Sequence, residues 1–188
     1  MKSDKNIFTK RSSWTFDKDI PKKFDKHINK SVPLYKEVQW LCNEVSDFYL
    51  KKDSIVYDIG CSTGIVLNQL AVRHKEKPKI KYYGIDIIKG MISYAKKYNN
   101  HKQIKFQNKN VLKMKFDKSD FIISMYTIQF IEPKHRQALI NKIFRSLNWG
   151  GAFFFVEKVR SYDARTQDQI TSMYESFKLK NGFAASEV

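Results

Sequence analysis

The chain has 188 residues, 42% hydrophobic and 14% aromatic, which is enough apolar surface for one folded domain and excludes wholesale disorder. Its best apolar run, Gly151 to Val156, is strand-sized and far short of the ~18 residues of a membrane span. Lys and Arg exceed Asp and Glu by 16 charges, a balance that bears on anionic partners or on a general bias toward lysine, and not on fold.

The first 33 residues are polar and irregular, broken by Pro21 and Pro33 and dotted with Trp14, Phe16 and Phe24. They read as a loop-rich cap over 1–33, ahead of a second region over 34–188. Met1 to Lys5 shows no apolar h-region, so no secretory leader is expected. Two cysteines, Cys42 and Cys61, make no disulfide framework, and a cytoplasmic protein is expected. The spacing of Leu34, Val38, Leu41, Val45 and Phe48 predicts one face of an amphipathic helix.

Strands and helices then alternate. Ile55 to Ile59 is a buried strand, followed by a glycine turn and a helix carrying Val66, Leu67, Leu70 and Ala71. Ile80 to Ile85 is the next strand, Met91 to Tyr98 a helix, Ile104 to Phe106 a strand, and Phe121 to Met125 another. Pro133 opens a helix at a permitted position, Asn148 to Gly151 reads as a turn, and Ala152 to Glu157 as the fifth strand. Ile170, Met173 and Phe177 mark a last helix, a stripe that suits core or a dimer surface.

Alternation with near-continuous apolar strands implies an α/β fold, a doubly wound, mostly parallel sheet of Rossmann-like type. Ligands in such sheets bind beyond the carboxyl ends of the strands. Functional residues are therefore expected just after each strand.

Asp58-Ile59-Gly60-Cys61-Ser62-Thr63-Gly64 joins the first strand to its helix. Its glycines let the backbone approach a ligand, and the helix start offers free N–H groups to an anion. A third glycine of dinucleotide type and a lysine-serine pair are both missing, so a carboxylate suits the turn better than a pyrophosphate. Cys61 lies near a helix N-terminus, which could lower its pKa, but its expected role is to line a ligand through its backbone. Asp86 follows the second strand, where a carboxylate can accept from both hydroxyls of a ribose. Together the two motifs describe a nucleoside joined to a small carboxylate-bearing tail, as in S-adenosyl-L-methionine. His27, His74, His101 and His135 show no ligand spacing, and no metal is expected. The basic stretch from Arg73 to Lys81 reads as a solvated loop.

The Asp-x-Gly-x-x-x-Gly turn and the acid after the second strand resemble the class I S-adenosylmethionine-dependent methyltransferases. Further blocks resemble the carboxy-S-adenosylmethionine synthase family: Trp14 to Asp17, Ser31 to Tyr35, Tyr57 to Ser62, Thr127 to Pro133, Arg136 to Leu139, Leu147 to Ala152, Glu157-Lys158, and Phe177-Lys178 with Asn181-Gly182. They fall in one order across nearly the whole chain. The resemblance implies conversion of S-adenosylmethionine and prephenate to carboxy-S-adenosylmethionine and phenylpyruvate, whose product serves modification of the wobble uridine of tRNA. It implies that the sulfonium acidifies its own methyl group, that carbon dioxide released from prephenate is captured in a closed site, and that no side-chain base is required. No catalytic residue is assigned.

Carried over residue by residue, the resemblance implies that Gly60, Cys61 and Ser62 line the methionine end and that Asp86 and Ile87 hold the ribose. Asn110 and Val111 would meet the adenine, with Met125 and Tyr35 completing the pocket. A homodimer is expected. Direct contact with tRNA is left open. The chain departs from the family at Asn110, where Asp is usual, and at Met125, where Asn is usual. The family's pattern continues beyond Val188, with the last two strands of the sheet and an arginine that grips the added carboxylate. Two other readings stay open: a methyltransferase acting on RNA or a small molecule, and an inactive cofactor-binding module.

Overall fold

A computed structural model describes residues 21–188, with the backbone alone of Thr9–Lys10, Ser13–Trp14 and Ile20. The block Trp14 to Asp17 lies outside the described residues apart from the backbone of Trp14. The short strands β1 (Thr9–Lys10) and β2 (Ser13–Trp14) pair antiparallel, and are followed by helices α1 (Ile20–Ser31) and α2 (Tyr35–Ser46). The remaining elements are β3 (Ile55–Ile59), α3 (Ile65–Arg73), β4 (Lys81–Asp86), α4 (Lys89–Tyr98), β5 (Ile104–Asn108), β6 (Ser119–Met125), α5 (Pro133–Ser146), β7 (Leu147–Val156) and α6 (Ala164–Lys180). Two compact units result. One comprises Met1–Glu37 with Val159–Val188, the other Val38–Lys158.

The second unit contains the sheet. Its order is β5-β4-β3-β6-β7, with every pairing parallel. The chain winds outward from β3 to β5 and then crosses back to β6. The switch point therefore lies between β3 and β6, the crevice where doubly wound sheets take ligands. Alternate side chains of each strand feed two cores. Val56, Tyr82, Phe106, Phe121 and Ile123 pack with Leu67 and Leu70 of α3 and with Ile92 and Ala95 of α4. Tyr57, Ile59, Ile85 and Ile122 pack on the other face with Leu139 and Ile143 of α5. Both faces are covered, so the strands read as continuous apolar runs.

Three sequence expectations change. The apolar stripe is only partly the buried face of α2: Val45 packs against the first core, but Leu41 and, beyond the helix end, Phe48 are exposed, while Gln39, Cys42, Asn43 and Ser46 are buried. Hydrogen bonding decides this, because Asn43 Nδ2 donates to Gln69 Oε1 at 3.0 Å and the Ser46 hydroxyl meets His74 Nε2 at 2.7 Å. Buried polar groups persist where they find such partners. Asn148 to Gly151 is part of β7 and not a turn. A register shift opposite Ser119 and Phe121 absorbs the irregularity, with Gly150 at φ 76°. The stripe Ile170, Met173 and Phe177 is not core, since α6 has no buried residue.

The basic stretch from Arg73 behaves as expected for a surface. Arg73 is bidentate to Glu44 and also meets Asp47 at 2.6 Å, and Lys77 donates to the Leu50 carbonyl at 2.8 Å. No helix among the described residues is long and apolar enough to cross a membrane.

Candidate functional site

The parallel register brings the strand ends to one edge. Ile59 pairs with Ile85, Asp86 with Asn108, and Met125 with Val156. Gly60–Ser62, Asp86–Ile87, Asn110–Val111, Met125 and Glu157 all follow or end these strands, so the sheet gathers them at its carboxyl edge.

The glycine turn is built by backbone that bulky residues avoid. Gly60, Ser62 and Gly64 have φ of 75°, 50° and 78°. The amides of Gly60 and Cys61 both donate to the Ile85 carbonyl, at 2.8 and 3.1 Å, which fastens the turn to the end of β4. A Cβ on Gly60 would collide with the side chain of Thr127, so glycine there also lets the loop after β6 close against the turn.

Asp86 ties the same turn from its other side. Its Oδ2 accepts from the Ser62 amide at 2.9 Å, and its Oδ1 accepts from the Ile88 amide at 2.8 Å. These bonds leave further lone pairs for hydroxyl donors. Burial nevertheless pushes the Asp86 carboxyl above its usual range, against the pull of the Ile88, Ser62 and Ile87 amides. Asp58, fully buried at the end of β3, is pushed up to about 7, first by burial and then by the charge of Asp86. Two neighbouring carboxyls that resist ionisation favour a ligand carrying positive charge.

Asn108 was not singled out in the sequence, yet its Nδ2 donates to the carbonyls of Asp86 and Ile87 at 3.0 and 2.8 Å. This holds Ile87, whose side chain is exposed, at the rim. Asn110 Oδ1 caps the short 3-10 turn Val111–Lys113 by accepting from the Leu112 amide at 2.9 Å. Val111 packs into the second core, and Met125 packs against the first. Tyr35 is half-buried at the first position of α2 and belongs to the terminal unit.

Cys61 lies in the turn ahead of α3. The start of α3 does not activate its thiol, because the side chain is buried in the first core. Burial first, and then the charges of Asp58 and Asp86, raise its pKa well above the ordinary value. It stays a neutral thiol, which agrees with a lining role and argues against a nucleophile.

Glu157 is the side chain whose role sequence reasoning missed. Its Oε1 accepts from the amides of Thr127 and Ile128 at 2.9 and 2.6 Å, and its Oε2 accepts from Gln129 at 3.2 Å. Arg136 closes the same loop by donating to the Ile131 and Gln129 carbonyls at 2.8 and 3.0 Å. Glu157 thus fixes the segment carrying Thr127, against which Gly60 rests. The available signal was a lone acid directly after the apolar run of β7. Among the described residues no group of three or more His, Cys, Asp or Glu could hold a metal ion.

The family profile described as methyltransferase domain matches residues 56–151. A carboxy-S-adenosyl-L-methionine synthase of Staphylococcus epidermidis is 34% identical over 176 residues, 93% of this chain and 76% of the relative. One of Trichodesmium erythraeum is 34% identical over 196 residues, 100% of this chain and 77% of the relative. Among solved structures, a SAM-dependent methyltransferase from Aquifex aeolicus superposes with a TM-score of 0.57 at 19% identity, covering 90% of each chain. The plantazolicin methyltransferase BpumL in complex with SAH gives 0.62 at 17% identity, covering 88% of this chain and 63% of its own. The solved structures share the fold.

Proposed function

The chain belongs to the carboxy-S-adenosyl-L-methionine synthase family, within the methyltransferase-domain fold, and from that premise we propose that it transfers a carboxyl group from prephenate to S-adenosyl-L-methionine. The products are carboxy-S-adenosyl-L-methionine, phenylpyruvate and water: the C–CO2 and C–OH bonds of prephenate break, the departing hydroxide takes a proton from the sulfonium methyl, and that carbon bonds to the carbon dioxide, giving a product that serves modification of wobble uridine in tRNA. The enzyme acts with S-adenosyl-L-methionine. The observation that carries this reading is the Asp86 carboxylate, aimed by the Ser62 and Ile88 amides at the rim of the glycine turn.

The residues fit this molecule. Asp86 keeps acceptor sites for the two ribose hydroxyls, with Ile87 beside it. The positive-φ turn at Gly60 and Ser62 presents its backbone to the methionine end. Asn110 and Val111 take the adenine edge, and Met125, at the end of β6, adds to the pocket wall. Asn110 has already committed Oδ1 to one backbone bond, so its second lone pair and its amide donors remain for the base. Met125 contributes packing, and polarity there comes from the backbone. Asp86 supplies negative charge for the sulfonium and ammonium, and a bound cation would draw the proton from Asp58 and so be balanced by it as well.

When bound, S-adenosyl-L-methionine supplies a methyl group acidified by its own sulfonium. The chain's residues hold and orient; no side chain here is assigned as a base. The loop braced by Glu157 stands beside the glycine turn, where it can keep water from the reacting end. A homodimer in the cytoplasm belongs to the same reading.

The test is incubation of the full chain with S-adenosyl-L-methionine and prephenate, followed by mass spectrometry. The proposal expects a cofactor heavier by one carboxyl group and an equal yield of phenylpyruvate. No carboxylated product, with methyl instead transferred from labelled cofactor to RNA or a small molecule, would replace it with a methyltransferase.

A further inference from the structure

The excess charge of this chain is not spread evenly. From Ile87 to Phe116 there are eight lysines and not one aspartate or glutamate. These thirty residues hold half of the chain's +16. They form α4, β5 and the turn Val111–Lys113, and β5 is the outer strand of the sheet. All eight lysines are exposed, and none forms an ion pair among the described residues. A solvated face would normally interleave both signs, as Arg73 does with Glu44 and Asp47 at the end of α3.

The neighbouring element does not neutralise this edge. Lys142 of α5 reaches across to the carbonyls of Val111, Leu112 and Met114. The bordering acids are already engaged, Asp86 with the Ser62 and Ile88 amides and Asp117 with the Tyr57 hydroxyl. Along the strand, Lys102, Lys105 and Lys109 are spread over on the order of 20 Å at ~3.3 Å per residue, long enough for several phosphates and too long for one small anion. The far end opens into a groove lined by Lys109, Asn110, Lys113, Met114 and Lys115.

Aromatic rings accompany the charge. Tyr94 and Tyr98 on α4 lie 4.5 Å apart between ring centroids, and Lys97 Nζ sits 5.1 Å from the centroid of Tyr98. Tyr98 is 53% exposed, so its ring is open to a stacking partner. Lysines that track a phosphodiester chain, with tyrosines on which bases stack, are the two parts of a single-strand binding surface.

We propose that the α4–β5 edge is a docking surface for a single-stranded or looped nucleic acid, with its phosphates on the lysine stripe and a base on Tyr98. This stands apart from the reaction proposed above, because none of the residues tested touches the turn or Asp86.

The experiment is fluorescence anisotropy of the full chain with a short labelled oligoribonucleotide and its DNA counterpart over a salt series. Both strands should bind, with log affinity falling against log salt at about −0.7 per phosphate contacted; a tighter RNA complex would assign the ligand as RNA and equal affinities as either strand. Reversing Lys96, Lys102 and Lys105 to Glu should weaken binding at least about tenfold and flatten the slope. Reversing Lys75, Lys79 and Lys81 should cost less than about threefold. Tyr98→Ala should cost roughly five- to a hundredfold while leaving the salt slope unchanged. Circular dichroism and S-adenosyl-L-methionine affinity of each variant report that the fold is kept. Equal losses in the two triple variants, or binding of poly-glutamate or phosphatidylserine vesicles as tight as that of the oligonucleotides, would overturn the proposal. So would a Tyr98→Ala variant that binds as the parent does.

Discussion

The amide of Ser62 donates to Asp86 across 2.9 Å, joining the turn after β3 to the acid after β4. One carboxylate therefore does two jobs: it shapes the turn and faces the proposed ribose. Asp86→Ala should remove both. We expect S-adenosyl-L-methionine affinity to fall by about 2–4 kcal/mol, roughly 30- to 1,000-fold, measured by isothermal titration calorimetry. An unchanged dissociation constant would refute the ribose placement.

Gly60 and Thr127 form the second closure of the site. Gly60→Ala meets a positive φ and the Thr127 side chain at once. We expect a loss of about 1–3 kcal/mol in chemical denaturation, beyond the ordinary cost of losing a glycine. In the background of Thr127→Gly the same substitution should cost less, because the collision is gone and only the backbone strain remains. A double-mutant cycle with no coupling would show that the two residues do not press on one another.

Asp58 makes a pH signature. Its carboxyl keeps a proton up to about 7 in the native state, against 3.8 ordinarily. The native state therefore binds more protons than the unfolded state between those values, and stability falls as pH rises through that window. Asp86, also raised, adds in the same direction. His74 acts oppositely: burial lowers it to about 4, so its contribution is lost as pH falls from 6.5 toward that value. The difference between the parent and Asp58→Asn isolates the aspartate. The variant should gain stability relative to the parent as pH rises from 5 to 8, by at most roughly 2.7 kcal/mol. A difference that does not change with pH would contradict a proton on Asp58.

Glu157 braces three amides of the loop after β6. Glu157→Ala leaves them without that partner, at a cost of about 1–3 kcal/mol, and should weaken cofactor binding through the loop. Hydrogen exchange at Thr127, Ile128 and Gln129 should accelerate, while exchange in β3 and β4 stays slow. Protection unchanged at those three amides would remove Glu157 from this role.

The sheet was legible because its strands are buried on both faces and so appear as unbroken runs, as in Phe121 to Met125. Asp86 was legible because an acid after a strand faces a crevice by topology alone. The bracing by Asn108 and Glu157 was not, since it depends on how loops fold back, including Tyr126 at φ 55°, which no periodicity encodes. The face of α2 was misread for a related reason. Apolar spacing ranked Leu41 and Phe48 as buried, whereas partners on α3 and at His74 drew Asn43 and Ser46 inward. Cys61 was read from its place before a helix, but its burial outweighs the helix end.

A crystal structure of the full chain with S-adenosyl-L-methionine tests the account most directly. The account predicts both ribose hydroxyls on the Asp86 carboxylate, the methionine end along Gly60 to Ser62, and the adenine beside Asn110. A ligand bound elsewhere on the sheet, or one whose sugar leaves Asp86 untouched, would contradict it.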